Sequence, residues 1–238
     1  MELNRENIKL ENSKLHQLSL NPNEDKTKIY DRWAENYDDY VKKLNYQGPQ
    51  NLVKELEEFL KVNKLNNVNK LNNVNKLNNV NKLNNVNKLN ILDFGCGTGL
   101  LGLEINKVLG SKYLVDIDGI DISENMIIKS RDKNVYRQIW HLDLTKEILP
   151  QQYQFDIIVS SGVFLEGHVS FSIIDTLINS LDHLGFIFFT VRDSFKKENL
   201  LEYTKYIYDN SRLEILNEIN IEYLPDVKCK LVIGQKLF

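Results

Sequence analysis

Two clusters in the 238-residue chain bring together residue types that do chemistry. The first is Asp93-Phe94-Gly95-Cys96-Gly97-Thr98-Gly99, followed by a carboxylate at Asp121, about 20 residues further on, the spacing at which a ribose diol is bound after a glycine loop. Glycines lack a Cβ, so a ligand can lie against bare backbone, and N–H groups at the start of a following helix point outward. The loop therefore expects a small polar ligand, and with Asp121 a nucleoside-bearing cofactor. Gly97, Gly99 and Gly102 also spell G-x-G-x-x-G, so a dinucleotide remains open at this point. The second cluster is Glu166-Gly167-His168. An imidazole titrates near neutrality, and a carboxylate becomes a useful base where apolar surroundings raise its pKa. Glu166 and His168 are thus the candidates for proton chemistry, with Glu166 alternatively orienting His168 or a substrate amine. The competing reading is a local hydrogen-bonding arrangement within a loop. No third ligand accompanies them, so neither is assigned to a metal.

The elements that position these clusters follow from the apolar pattern. Ile91, Leu92 and Phe94 read as a buried parallel strand, and Leu100, Leu101, Leu103 and Ile105 as the buried side of the helix after the glycines. Tyr113 to Ile122 is a second strand, and Ser123 an N-cap for a helix whose Met126, with Ile122, would line the base side of such a cofactor. Val135 to Leu144 and Phe155 to Ser161 are further strands, and the loop after the latter holds Glu166 and His168. Open α/β sheets place reacting groups there, at the carboxyl ends of the strands. A helix over Phe171 to Asp182, a strand over Phe186 to Val191 and a helix over Lys197 to Asn210 complete the alternation. Leu213 to Tyr223 and Lys228 to Leu237 then form a hairpin turning at Leu224-Pro225-Asp226. The expected fold is α/β: a Rossmann-like, seven-stranded, mostly parallel sheet with helices on both faces and a C-terminal antiparallel β-hairpin.

Before the glycine loop, residues 1–26 are rich in Asn, Glu and Lys with scattered leucines, and are expected to form a mobile or loosely docked arm ahead of one domain over 27–238. Tyr30, Trp33 and Tyr37 are spaced to share a helical face. They either pin that helix to the domain or form an aromatic wall that excludes water and attracts a cation. Asn51 to Leu60 is another helix. VNKLNN then repeats four times from Val62, with a partial copy to Asn90. Apolar residues at every third position rotate around an α-helix and never make a face, so 62–90 reads as a low-complexity insert without a part in the chemistry.

A net charge of −3 supplies no basic field to hold nucleic acid, so small, weakly charged partners are favoured. Cys96 and Cys229 imply no disulfide framework, and Cys96 reads as a packing residue. The polar start and the lack of any long apolar run point to a cytoplasmic protein away from membranes.

Asp93, the three loop glycines and the acidic strand end at Asp121 together resemble class I S-adenosylmethionine-dependent methyltransferases. The resemblance implies that the backbone of Gly95, Gly97, Thr98 and Gly99 cradles the methionine part and that Asp93 supports the loop or the amino group. It also implies that Asp121 binds the ribose hydroxyls, and that Asp143, beside Leu144, meets the adenine amino group. Asp143 could equally cap the Thr145-Lys146-Glu147 turn. Trp33 and Tyr37 would cover the cofactor and Ser161 would border it. YDRWAENYDDYVKKLNYQGP and SSGVFLEGHV resemble, more narrowly, the methyltransferase-like family named for the Williams-Beuren syndrome chromosomal region, over Ile29 to Val191. That likeness implies the cofactor but brings no acceptor. Ser160-Ser161-Gly162-Val163 stands where enzymes acting on base amines or glutamine amides usually carry Asn/Asp-Pro-Pro-aromatic, which with the acidic balance argues against DNA or RNA adenine methylation; a small-molecule acceptor leads, with a protein side chain the less favoured acceptor. A catalytically silent S-adenosylmethionine-binding module and a NAD-binding oxidoreductase are the alternatives. The absence of any Tyr-x-x-x-Lys pair weighs against the oxidoreductase.

Overall fold

The computed structural model describes residues 2–71, 88–150 and 152–238, with the side chains of 2–5 and 64–71 omitted. The glycine loop joins β1 (Lys88–Phe94) to α5 (Leu100–Leu109) after four helices, α1 (Glu2–Ser19), α2 (Lys26–Trp33), α3 (Tyr37–Lys43) and α4 (Gly48–Leu71). Then follow β2 (Leu114–Asp121), α6 (Glu124–Arg131), β3 (Gln138–His141), β4 (Phe155–Phe164), α7 (Ile173–Ser180) and β5 (Leu181–Arg192). Short helices α8 (Asp193–Glu198) and α9 (Leu200–Tyr203) and a π turn at Thr204–Tyr208 lead to β6 (Leu213–Leu224) and β7 (Val227–Lys236).

The seven strands order as β3-β2-β1-β4-β5-β7-β6. The first five are parallel, and β7 inserts antiparallel between β5 and β6, as a hairpin must when its second strand joins the sheet. The order reverses beside β1, at its border with β4, so the carboxyl ends of β1, β2 and β4 face one crevice. Each face of the sheet carries its own apolar layer. Leu52, Val53 and Leu56 of α4 and Leu101 and Ile105 of α5 pack with Ile91 and Ile157 on one side. Ile174, Leu177 and Ile178 of α7 pack with Leu92, Ile158 and Phe189 on the other. Each such side chain removed from water contributes about 1.5–3 kcal/mol. Buried Asp118 on β2 receives Arg137 Nε at 2.9 Å and a second guanidinium nitrogen at 2.6 Å, a bidentate pair that fixes β3 against β2.

Four expectations change. Residues 2–19 form α1, a helix, and it docks: Asn12, Leu15 and Ser19 are buried at i, i+3 and i+7, and Leu15 packs with Ile29, Trp33, Ala34 and Met126. That face holds Leu15 and half-buried Leu18 among small polar residues, too few for hydrophobic counting to mark it. Helix α4 runs on to Leu71, inside the repeat, and β1 begins at Lys88, taking the repeat's last residues into the sheet. The remainder of the insert, 72–87, lies outside the described residues. The helix expected over Lys197 to Asn210 is divided into α8, α9 and the π turn. Strand β3 is only Gln138–His141, whereas β4 continues past Ser161 to Phe164 through Gly162, which has φ +83°.

Candidate active site

The loop after β1 is folded by its own backbone. Gly95 and Cys96 both donate to Ile120 O at 2.9 Å, and Gly99, with φ +88°, donates to Cys96 O at 2.8 Å and caps α5. Two glycines are required for opposite reasons. At Gly95 (φ +71°) a Cβ would stand 2.3 Å from Val163 Cγ2, so β4 can lie against the loop only if that position is bare. At Gly97 (φ +53°) a Cβ would meet no atom within 4 Å, so the space above it is open. Gly97 N–H donates to Asp121 Oδ2 at 2.8 Å, and Ser123 N–H to Asp121 Oδ1 at 2.9 Å. Each carboxylate oxygen keeps a further lone pair, which is what a vicinal diol needs. Burial pushes the Asp121 carboxyl above its ordinary range.

Above the loop lies a cavity of about 250 Å³ whose wall includes Gly95, Gly97, Asp121, Ile122, Met126, Asp143, Leu144 and Ser161, together with Tyr37 and His168. Ten of the expected residues therefore meet around one space. Asp143 caps its turn, with Oδ1 accepting from Thr145 N at 3.0 Å, and it also borders the cavity. Burial raises its carboxyl, but hydrogen bonds from Lys146 and Thr145 outweigh this and hold it below the ordinary range.

The other five stand behind the wall. Asp93 is buried beneath the loop and accepts from Tyr136 Oη at 2.7 Å, while burial pushes its carboxyl up to about 7. The Tyr136 ring fills the place of a Gly102 Cβ, 2.4 Å away, so the last glycine of G-x-G-x-x-G serves this support and leaves the cavity untouched. Gly99 faces Tyr136, Ser130 and Lys133. Thr98 Oγ1 donates to Asp38 of α3, which also binds Lys133 at 2.8 Å, tying α3 across the loop. Trp33 points away from the main cavity and packs with His16 and Tyr40, ring centroids 5.8 and 5.3 Å distant. Glu166 directs its carboxylate to Arg192 at 3.4 Å. Cys96 is buried against Gly119, as a packing residue would be.

His168 is held in one tautomer. Its Nδ1 lies 2.9 Å from the main-chain carbonyl of Glu166, which can only accept, so Nδ1 carries the proton. Nε2 then accepts from Tyr30 Oη at 2.7 Å. Burial depresses the imidazole to about 4 and raises the Tyr30 hydroxyl well above its ordinary value. At neutral pH both are uncharged, forming a donor–acceptor chain at the cavity wall. Tyr30 sat in the sequence as one aromatic of a helical face, 138 residues from His168, and only the tertiary fold reveals the contact. Helix α2 is fixed for this by Asp31, whose Oδ1 accepts from Ser123 Oγ at 2.6 Å and Asn125 N at 3.2 Å. Among the described residues no group of His, Cys, Asp and Glu could hold a metal ion, and no helix is long and apolar enough to cross a membrane.

Residues 92–185, from β1 into β5, match the family model described as a methyltransferase domain. Around that stretch, the seven-stranded sheet with its C-terminal antiparallel hairpin has the Rossmann-like fold of class I methyltransferases. The chain is similar to human methyltransferase-like protein 27, 26% identical over 145 residues covering 60% of this chain and 49% of the human one. It is also similar to the ribosomal protein L11 methyltransferase of Laribacter hongkongensis, 35% identical over 71 residues, covering 30% of this chain and 23% of that protein. Thus it spans about half of one curated relative and about a quarter of the other. Its fold is shared with a solved structure assigned to the class I methyltransferases from Listeria monocytogenes, at TM-score 0.52 and 21% identity, covering 65% of this chain and 55% of that one.

Proposed function

We propose that this chain transfers a methyl group from S-adenosylmethionine to a small-molecule acceptor. The observation that carries the reading is the pairing, at one cavity, of an open glycine cradle at Gly97 and Asp121 with the Tyr30–His168 chain. The residues fit the cofactor by their chemistry. Asp121 has lone pairs for a diol, Ile122, Met126 and Leu144 offer apolar surface to a base, and bare backbone at Gly97 leaves room for the amino-acid part. When bound, S-adenosylmethionine supplies an electrophilic methyl group, and positioning with exclusion of water can account for most of the rate.

The protein's own contribution to proton balance is the Tyr30–His168 chain. As an acceptor's hydroxyl forms its new bond to carbon its proton acidifies; that proton passes to Tyr30 Oη while Tyr30 passes its own to His168 Nε2. A base depressed to about 4 still takes the proton readily from the oxonium a methylated hydroxyl becomes, so the chain serves a hydroxyl acceptor, whereas a methylated alkyl amine keeps its proton and releases it to solvent. Glu166 contributes its main-chain carbonyl, which fixes the tautomer.

Calorimetric titration with S-adenosylmethionine, S-adenosylhomocysteine and NADH is the test of the cofactor. Micromolar binding of the first two and none of the third is expected, with Asp121→Ala weakening it at least about tenfold, a loss of about 1.4 kcal/mol. Incubation with methyl-labelled cofactor and a metabolite extract then distinguishes an enzyme from a silent binding module. Binding of NADH alone would overturn the reading.

A further inference from the structure

Beside the main cavity, and sharing Tyr30, Tyr37 and Gly162 with it, lies a smaller one of about 50 Å³ enclosed by α1, α2, α3 and the carboxyl ends of β4 and β5. Its walls are aromatic, with Trp33, Tyr40, Tyr46 and Tyr223 among them, and Arg192 is their cation. Two donors here have no partner: Trp33 Nε1 and Arg192 Nε are shut off from water and make no hydrogen bond. Trp33 is 2% exposed, so its idle N–H cannot be satisfied by solvent. A buried donor left unpaired costs about 1–3 kcal/mol, and two at one small cavity call for an acceptor group between them. Among the described residues Arg192 pairs with one carboxylate, Glu166, at 3.4 Å, a long contact that leaves most of the guanidinium fork free. His16, the other titratable base on this wall, is held neutral at pH 7 by burial and by Arg192.

We infer that this smaller cavity is the acid-selecting end of the acceptor site: it takes the carboxylate of a compact, planar acceptor against Trp33 Nε1–H and the Arg192 guanidinium. The ring, too large for about 50 Å³, lies toward the main cavity past Tyr30 and Tyr37. The methyl-accepting hydroxyl or amine of such a molecule then lies a few bonds away, at the junction where Tyr30 faces both cavities. This rests on the methyltransferase reading for its meaning, but binding of the acid does not depend on it. The aromatic walls keep water from the carboxylate, and Tyr46, whose hydroxyl lies 2.7 Å from Ser161 Oγ of the main cavity, is one of them.

The chain has two tryptophans, so Trp140→Phe leaves Trp33 as the sole indole reporter. In that background, fluorescence titration with benzoate and 4-hydroxybenzoate, and with benzamide and 4-hydroxybenzamide as neutral isosteres, is run with and without S-adenosylhomocysteine. A saturable change for the acids, at least about tenfold tighter than for the amides, is expected. Arg192→Gln should abolish the preference and Arg192→Lys retain part of it, while circular dichroism and the S-adenosylhomocysteine affinity stay unchanged. Equal binding of acids and amides, or no saturable response to either, overturns the inference. Acid binding in a protein that ignores S-adenosylhomocysteine would instead leave the subsite standing and remove the cofactor assignment.

Discussion

Replacing Tyr136 by phenylalanine isolates the support beneath the glycine loop. The substitution keeps the ring that fills the space beside Gly102 and removes only the hydroxyl that donates to Asp93 Oδ2 at 2.7 Å. Asp93 is 1% exposed and its Oδ1 already lacks a partner, so the variant leaves the carboxyl group with no side-chain donor. A hydrogen bond to a neutral acid contributes about 1 kcal/mol, and one to a carboxylate about 1.5–3 kcal/mol. Asp93 titrates at about 7 in the folded protein, against about 3.9 when unfolded. The folded state therefore binds the extra proton between those values, and Asp93 makes stability fall as pH rises from about 4 to 7. At pH 5 the group is protonated and Tyr136→Phe should cost about 1 kcal/mol; at pH 8.5 it is ionised and the cost should rise to about 2–3 kcal/mol. Urea denaturation of both proteins at the two pH values measures this directly, and Asp93→Asn in the same series should flatten the pH dependence. A cost that is the same at both pH values would show that the Tyr136 hydroxyl does not act on a titrating Asp93.

The two loop glycines should fail differently. Gly95→Ala drives a methyl group into Val163 at a positive φ, costing about 2–4 kcal/mol of stability, and Val163→Ala should recover part of it. Gly97→Ala, with open space above it, should cost no more than about 1–2 kcal/mol but weaken S-adenosylmethionine in calorimetry out of proportion. His168, depressed to about 4 against 6.5 unfolded, makes the unfolded chain bind the extra proton between those values, so stability should fall by up to about 3 kcal/mol as pH drops from 6.5 toward 4. Denaturation curves of the wild type and His168→Gln across that range should differ by this slope, and parallel curves would refute the buried neutral imidazole. Replacing residues 72–87 with a short Gly/Ser linker should leave the S-adenosylhomocysteine affinity within about twofold, because closing a loop changes free energy by only about 0.6 kcal/mol per doubling of its length.

The alternation of strands and helices was readable because each element carries its own apolar period, and the loop because positive-φ glycines have few substitutes. Ser123 illustrates the local limit of such reading at its best: its Oγ accepts from Met126 N at 3.2 Å, as an N-cap should. What escaped was non-local or polar. Tyr136 and Lys133 hold the glycine loop from a segment with no motif of its own, and Asp38 does so from the aromatic segment in a role its motif did not announce. The sequence spaces Trp33 and Tyr37 on one helical face, but α2 ends at Trp33 and Tyr37 opens α3, and only Tyr37 reaches the main cavity, because α1 brings a partner for Trp33 that scattered leucines did not announce. Glu166 and His168 were adjacent in reading but separate in space: one carboxylate turns to Arg192, whereas the imidazole turns to Tyr30.

Helix α2 faces two ways, placing Tyr30 on the main cavity and Trp33 against α1. A rigid two-turn helix cannot shift one of these contacts without the other, so if residues 2–19 unseat, a ligand in the main cavity would share that equilibrium. If f is the fraction of molecules with α1 seated, the observed dissociation constant is the intrinsic one divided by f. Binding must in turn draw α1 down onto the domain by the same factor. Anything that grips residues 2–19, a partner protein included, would then act as a throttle on a site it never touches.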